Sequence, residues 1–237
     1  MAVYVYSITS EDHPTRLEGV HGVGDPPATL RTVTAGGLCA VVSDMPEDLR
    51  ARRRDVLAHQ DVQERLMADG SVLPLRFGMT TDDDGAVRTV LENRAAEYRE
   101  RLRALDGTTE YNLKCSWEEE ALLRRILLES DEARELNTAI RAGSGTPEMS
   151  LALGELVSQE AGARQDALAQ GIVEALHPYV RDESRATPGG EDFLSVSFLV
   201  PTDKEEMFLA TGISLANQLG EDCELRLRGP LPPYSFV

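Results

Sequence analysis

The chain opens on Val3-Tyr4-Val5-Tyr6-Ser7-Ile8, a run of aromatic and β-branched residues that predicts a strand. Pro14, Gly19, Gly22, Gly24, Pro26 and Pro27 then break any regular pattern and predict a loop. Leu30 to Thr34 and Leu38 to Ser43 flank Ala35-Gly36-Gly37, the arrangement expected of a β-hairpin. From Met45 to Asp69 the composition is polar and helical, with Val56, Leu57, Val62, Leu66 and Met67 as its apolar side. Val72 to Phe77 predicts a short apolar strand. A helix should follow from about Ala86 to Leu105, its stripe drawn from Val87, Val90, Leu91, Tyr98, Leu102 and Leu105. Asp106-Gly107-Thr108 interrupts the pattern. The expected organisation is an N-terminal α+β domain over residues 1–106 and a second domain over residues 107–237.

In the second part Tyr111, Leu113, Cys115 and Trp117 alternate with Asn112, Lys114 and Ser116, a strand with one buried face. Ser116, with Glu119 three residues on, predicts the cap of a helix running through Leu122, Leu123, Ile126 and Leu127 towards Ile140. The stretch from Ala142 to Pro147 is a flexible break. A long helix is expected from Ser150 to Asp182, about 45 Å at a rise of ~1.5 Å per residue. Its middle, Ser158 to Gln165, is small and polar, which predicts partial exposure. After a loop from Arg185 to Asp192 come a strand over Leu194 to Val200, a helix from Lys204 to Leu219 and a strand from Cys223. This β-α-α-β-α-β order resembles a ferredoxin-like βαββαβ plan with a helical insertion and one strand unrecognised. No internal repeat relates the halves. The fold class is α+β.

Charge narrows the partners. The 237 residues carry 41 Asp plus Glu against 24 Lys plus Arg, a formal net charge of −17. Such a field repels phosphate backbones, so nucleic acid is not an expected partner. The basic run at Arg50, Arg52, Arg53 and Arg54 lies among Glu47, Asp48 and Asp55 and is expected to be a solvated helix face. No apolar run approaches the ~18–20 residues of a membrane helix, and no leader-like segment opens the sequence, so neither membrane spanning nor secretion is expected. Cys39, Cys115 and Cys223 are widely spaced within apolar runs and form no CxxC pair. They are expected to be reduced, buried thiols in a cytosolic protein.

Motifs for chemistry are largely missing. There is no GxxxxGK[ST], HExxH or GxSxG, and Gly22-Val23-Gly24 lacks both a third glycine and a preceding strand. Asp82-Asp83-Asp84 lacks a calcium-loop pattern and is expected to cap the following helix. The four histidines show no metal spacing, so neither a metal nor a cofactor is expected. An enzyme on a ferredoxin-like scaffold would have to use His59, Arg76 or Cys39, and a general oligomerisation module is a third possibility.

Two segments are more specific than a fold requires. In Val72-Leu73-Pro74-Leu75-Arg76-Phe77-Gly78-Met79, Pro74 cannot donate to a ladder, which predicts an edge strand or a bulge. Arg76 should either face away from its apolar neighbours or meet a buried carboxylate. At the end, Gly229-Pro230-Leu231-Pro232-Pro233-Tyr234-Ser235-Phe236-Val237 combines a stiff backbone with the apolar anchors Tyr234 and Phe236. It either packs back on its own domain or docks on another protein.

These segments, together with VYVYSI, His59 ahead of VLPLRFGM, EYNLKCSW, FLSVSFLVP and the terminal GPLPPYSFV, resemble in order the gas vesicle accessory proteins of the GvpF/GvpL family. The resemblance spans nearly the whole chain. It implies two α+β domains, the second a modified ferredoxin fold, and a non-enzymatic role in gas vesicle formation. It further implies that the chain binds the very hydrophobic shell protein GvpA and other accessory proteins, keeping GvpA from aggregating during nucleation. An acidic partner could shield an open strand edge or an apolar face while its charge keeps the complexes dispersed. The expected contact surrounds the opening strand and the Pro74 segment, with Tyr4, Tyr6, Pro74, Arg76 and Phe77 as candidates, joined by Tyr234 and Phe236 of the tail.

Overall fold

A computed structural model describes residues 1–237. The chain divides into two compact units. One comprises Met1–Tyr111 with Leu199–Thr202 and Gly229–Val237, the other Asn112–Phe198 with Asp203–Arg228.

The first unit is built on an antiparallel sheet of β1 (Val3–Ser10), β2 (Arg31–Ala35), β3 (Leu38–Asp44), β4 (Leu73–Pro74) and β5 (Thr80–Thr81). Its order is β2-β3-β1-β4, with β5 also paired to β1. The hairpin between β2 and β3 is tight because Gly36 and Gly37 both adopt positive φ, 63° and 75°, as a two-residue primed turn requires. In the β1–β3 ladder Val5 faces Val42 and Ser7 faces Val41, so Tyr6 is an extra, bulged residue. The bulge resets the alternation. Ile8, three residues after Val5, thereby joins Val3 and Val5 in one apolar layer, while Tyr4 and Tyr6 enter the other.

That first layer is closed by α2 (Asp84–Asn93) and α3 (Ala95–Ala104), through Val87, Leu91, Tyr98 and Leu102. The opposite layer is closed by Val62 and Leu66 of α1 (Arg53–Met67). Asp83 caps α2 as expected, its side chain accepting from the Ala86 amide at 2.8 Å.

Several boundaries differ from the sequence pattern. The stretch expected as one helix from Ala86 to Leu105 is two, broken at Arg94, whose φ and ψ of −110° and 16° leave the helical region. Helix α1 begins at Arg53 and not near Met45, because Arg52 is extended and Asp48 holds Arg50 and Arg52 in local ion pairs. Val56 and Leu57, expected in the core, are exposed. The strand expected over Val72 to Phe77 contracts to β4, consistent with the donor that Pro74 lacks.

β6 (Thr108–Trp117), which enters the second unit at Asn112, leads there to three helices, α4 (Glu119–Glu129), α5 (Asp131–Arg141) and α6 (Pro147–Leu176). The cap of α4 is Glu118 and not Ser116: its carboxylate accepts from the amides of Glu120 and Ala121. Ser130 caps α5, dividing a stretch the composition had joined, and Thr146 caps α6 with Pro147 in its first turn. β7 (Asp182–Arg185), β8 (Asp192–Pro201), α7 (Glu205–Leu219) and β9 (Cys223–Leu231) follow. The sheet runs β7-β8-β6-β9. β7 is the strand that patterning missed, since Asp-Glu-Ser-Arg has no apolar alternation. The architecture is α+β with two antiparallel sheets.

Candidate partner-binding site

Most of the candidate residues gather around β1 and the outer segment paired to it. β1 is not an edge: β3 pairs it on one side, and β4 and β5 pair it on the other. The outer strand is interrupted. The Leu75 amide donates to the Tyr6 carbonyl at 2.9 Å and the Val5 amide donates to the Met79 carbonyl at 3.0 Å. Between these bonds Arg76, Phe77 and Gly78 loop outward, and Gly78 takes a φ of 88° that a side chain would strain.

Behind this loop lies a buried polar cluster centred on His59. The Leu75 carbonyl can only accept, so at 3.0 Å it places the ring proton on Nε2. Nδ1 is then an acceptor and takes the Tyr4 hydroxyl proton at 2.8 Å, while that hydroxyl accepts from the Gly78 amide at 3.1 Å. The Tyr234 hydroxyl stands 3.1 Å from Nε2. One turn further along α1, Gln63 donates to the Tyr6 carbonyl at 2.5 Å. The Tyr6 hydroxyl accepts from the Val23 amide and donates to Ser43, whose own proton goes to the Asp44 carbonyl. Phe77 closes the cluster, its ring centroid 6.0 Å from Tyr4 and 5.8 Å from His59.

Burial sets the electrostatics. It holds the His59 imidazole below its ordinary range, and it pushes Tyr4 and Tyr6 up and Tyr234 up to about 12. All four side chains are therefore neutral near pH 7, and both nitrogens of His59 are engaged by protein groups. Cys39, the other nucleophile considered, is buried and its thiol is likewise pushed up by desolvation. The cluster fastens α1, the loop over residues 75–79 and the chain terminus to one another.

The structure brings Tyr4, Tyr6, Phe77 and Tyr234 together around His59 and leaves Arg76 and Phe236 out of that cluster. Tyr4 and Tyr6 are both 0% exposed, so they support the edge from behind and present no surface. Pro74 is buried too. Arg76 is exposed and has no carboxylate within 4 Å, which answers the alternative posed by its neighbours. Phe236 packs against the opposite apolar layer. The tail is part of the first unit, where Glu110, itself buried, accepts from the Ser235 amide at 3.0 Å and hydroxyl at 2.7 Å.

Patterning did not pick out Gln63, Glu110 or Met79. Gln63 carried the one available signal, its place four residues after His59 on a helix. Outside the interrupted strand, Met79 is 46% exposed at the mouth of an apolar cleft of about 300 Å3 lined by Val5, Ile8, Leu75, Val87 and Leu91. The other edge of the sheet is different. Arg31 of β2 pairs with Asp44 and with Asp84, each at 2.9 Å, a charged border of the kind that discourages strand addition.

His59, with both ring nitrogens engaged, thus stands behind an interrupted strand, and an apolar cleft lies beside Met79. Residues 2–237 match the family model described as gas vesicle synthesis protein GvpL/GvpF, and the chain belongs to that family, an accessory family and not an enzyme family. It is 46% identical to gas vesicle protein F of Streptomyces sp. (strain CB03234), with all of both chains covered. It is 29% identical to gas vesicle protein L1 of Halobacterium salinarum over 91% of this chain and 83% of that one. Two crystal structures share the fold. GvpF from Anabaena sp. PCC7120 superposes with a TM-score of 0.85 at 22% identity, covering 99% of this chain and 97% of the other. GvpF from Microcystis aeruginosa gives 0.81 at 21% identity, covering 99% and 98%. No helix is long and apolar enough to cross a membrane.

Proposed function

We propose that this protein acts in the cytoplasm and at the gas vesicle as an assembly factor. It binds the hydrophobic shell protein GvpA and, together with other accessory proteins, keeps it from aggregating while the vesicle nucleates. Family membership supports the setting, and one observation carries the reading of the contact. The interrupted strand over residues 73–81 stands beside an apolar cleft, so a partner's strand edge and its apolar side chains can be covered together. Arg76, Phe77 and Met79 form the contact, and buried Pro74 supports the strand from which they project. Tyr4, Tyr6, Tyr234 and Phe236 act through them by holding the segment in place. The element order of the second unit and its strand order β7-β8-β6-β9 support reading it as a modified ferredoxin-like fold that carries α4, α5 and α6 in its first crossover.

A net charge of −17 keeps the loaded complex from self-association. Light scattering of a GvpA-type shell protein diluted from denaturant tests the proposal. The full chain should suppress scattering near equimolar ratio, and Met79→Lys, a change at an exposed position, should suppress it far less. Equal protection by wild type and Met79→Lys would move the contact elsewhere; no protection by either would end the reading.

A further inference from the structure

The three-helix insertion of the second unit has a thin core. The cluster where the three helices meet has Leu122, Ile126 and Ala133 as its buried members, with Trp117, Leu153, Leu156, Val157 and Ala161 half-covered around them; the other buried residues of α6, Ile172, Val173 and Leu176, lie at its far end. Between α4 and α6 this leaves an open groove of about 800 Å3. Its floor is apolar, from Leu122, Leu123 and Ile126 on one helix and Val157 and Ala161 on the other, and Leu123 is 40% exposed there.

Gly154, Ser158, Ala161 and Gln165 succeed one another at steps of four, three and four along the wall that α6 presents to the groove. That is one helical stripe about 16 Å long at ~1.5 Å per residue. At Gly154 a Cβ would meet nothing within 4 Å, so the wall is open to a close-packed neighbour. A neighbouring helix fits such a trough, ridge into groove.

The rim says what charge that neighbour carries. Glu118, Glu119, Glu120 and Glu191 line the groove with no cation among the lining residues, and none of the four makes an ion pair. The first three have a local role at the start of α4, where Glu118 caps the helix. Glu191 does not: it comes from the loop before β8 and adds its charge to the same mouth. Of the arginines nearby, Arg125 pairs with Glu129 and Arg164 with Glu129 and Glu160, while Arg124 of α4 makes no ion pair and stands outside the groove lining.

From this we infer that the α4–α6 groove docks a basic amphipathic helix of a partner protein, its apolar face against Leu122, Ile126 and Val157 and its cations against the four glutamates. The site lies in a different unit from the edge contact proposed above and rests on different residues, so either can fail alone.

The chain's single tryptophan, Trp117, lines the groove and reports on its occupancy. The experiment titrates the full-length protein with a synthetic helix of about 14 residues, roughly four turns, with Leu and Lys at amphipathic spacing. Its controls are a Leu/Glu peptide of the same pattern, the Gly154→Leu variant, and the combined Glu119→Gln, Glu120→Gln and Glu191→Gln variant. Gly154→Leu fills an open position on a helix surface and raises helix propensity, so it should fold as wild type does.

The Leu/Lys peptide should shift Trp117 emission and bind more weakly as salt rises. Both variants should bind it about tenfold more weakly, equivalent to ~1.4 kcal/mol, and the Leu/Glu peptide should not bind. The inference is overturned by a silent Trp117, by binding to Gly154→Leu at wild-type strength, or by equal binding of the two peptides. Emission that changes with protein concentration alone would assign the groove to a second copy of the chain and overturn it as well.

Discussion

Replacing His59 with alanine tests whether one neutral side chain ties the edge loop and the tail to α1. The substitution takes the His59 partner from the buried Tyr4 hydroxyl, leaving its proton unplaced, and from the half-buried Leu75 carbonyl. Each unsatisfied group costs about 1–3 kcal/mol, and the hole left at a 4% exposed site adds about 1 kcal/mol or more. A loss of about 4 kcal/mol is expected. With a urea m-value of ~2 kcal/mol/M, that lowers the midpoint by about 2 M. Tyrosine near-UV circular dichroism is the suitable probe, because Trp117 lies in the second unit and reports on that unit. Amide exchange then locates the effect. The amides of residues 75–79 and 234–236, which are distant from His59 in the chain, should lose protection together with α1. If exchange accelerates in α1 alone while both other segments stay protected, the clamp reasoning is wrong. His59→Gln, which can still donate to the Leu75 carbonyl, should recover about half of the loss.

Acid should expose the same histidine. Burial holds His59 and His13 neutral in the folded state, whereas an unfolded histidine titrates near ~6.5. Their contribution is thus complete above that pH and falls as the pH drops below it, by at most ~1.4 kcal/mol per pH unit for each group. Between about pH 6.5 and 5 the urea midpoint should decline in wild type and decline less steeply in His59→Gln; parallel slopes would refute the assignment. At the other face of the sheet, Asp83→Ala removes the side chain that caps α2 and should cost ~1 kcal/mol, read as a lower midpoint with an unchanged m-value.

What could be read along the chain was what local forces decide. β1, the Gly36-Gly37 hairpin and the Asp83 cap were legible because each depends on residues a few positions apart. The break at Arg94 was not, since the apolar stripe passes from α2 to α3 with its period nearly intact. β7 was invisible for a related reason: a polar strand is specified by its neighbour β8 and not by its own side chains.

The candidate site divides along the same line. That Pro74 would stand on an edge strand or at a bulge followed from its missing N–H, and β4 is indeed the outer strand. That His59 would sit between Tyr4, Leu75 and Tyr234 did not, because these partners are 55, 16 and 175 residues away in the chain and meet only once the sheet, α1 and the tail have packed. Tyr4 and Tyr6 were contact candidates from their place in an opening strand, yet the packing of α1 over that face of β1 buried them. Composition, charge and hydrogen-bonding chemistry travel with each residue and can be read one at a time. Exposure, tautomer and partner are properties of the packed chain, and it took the folded arrangement to assign them.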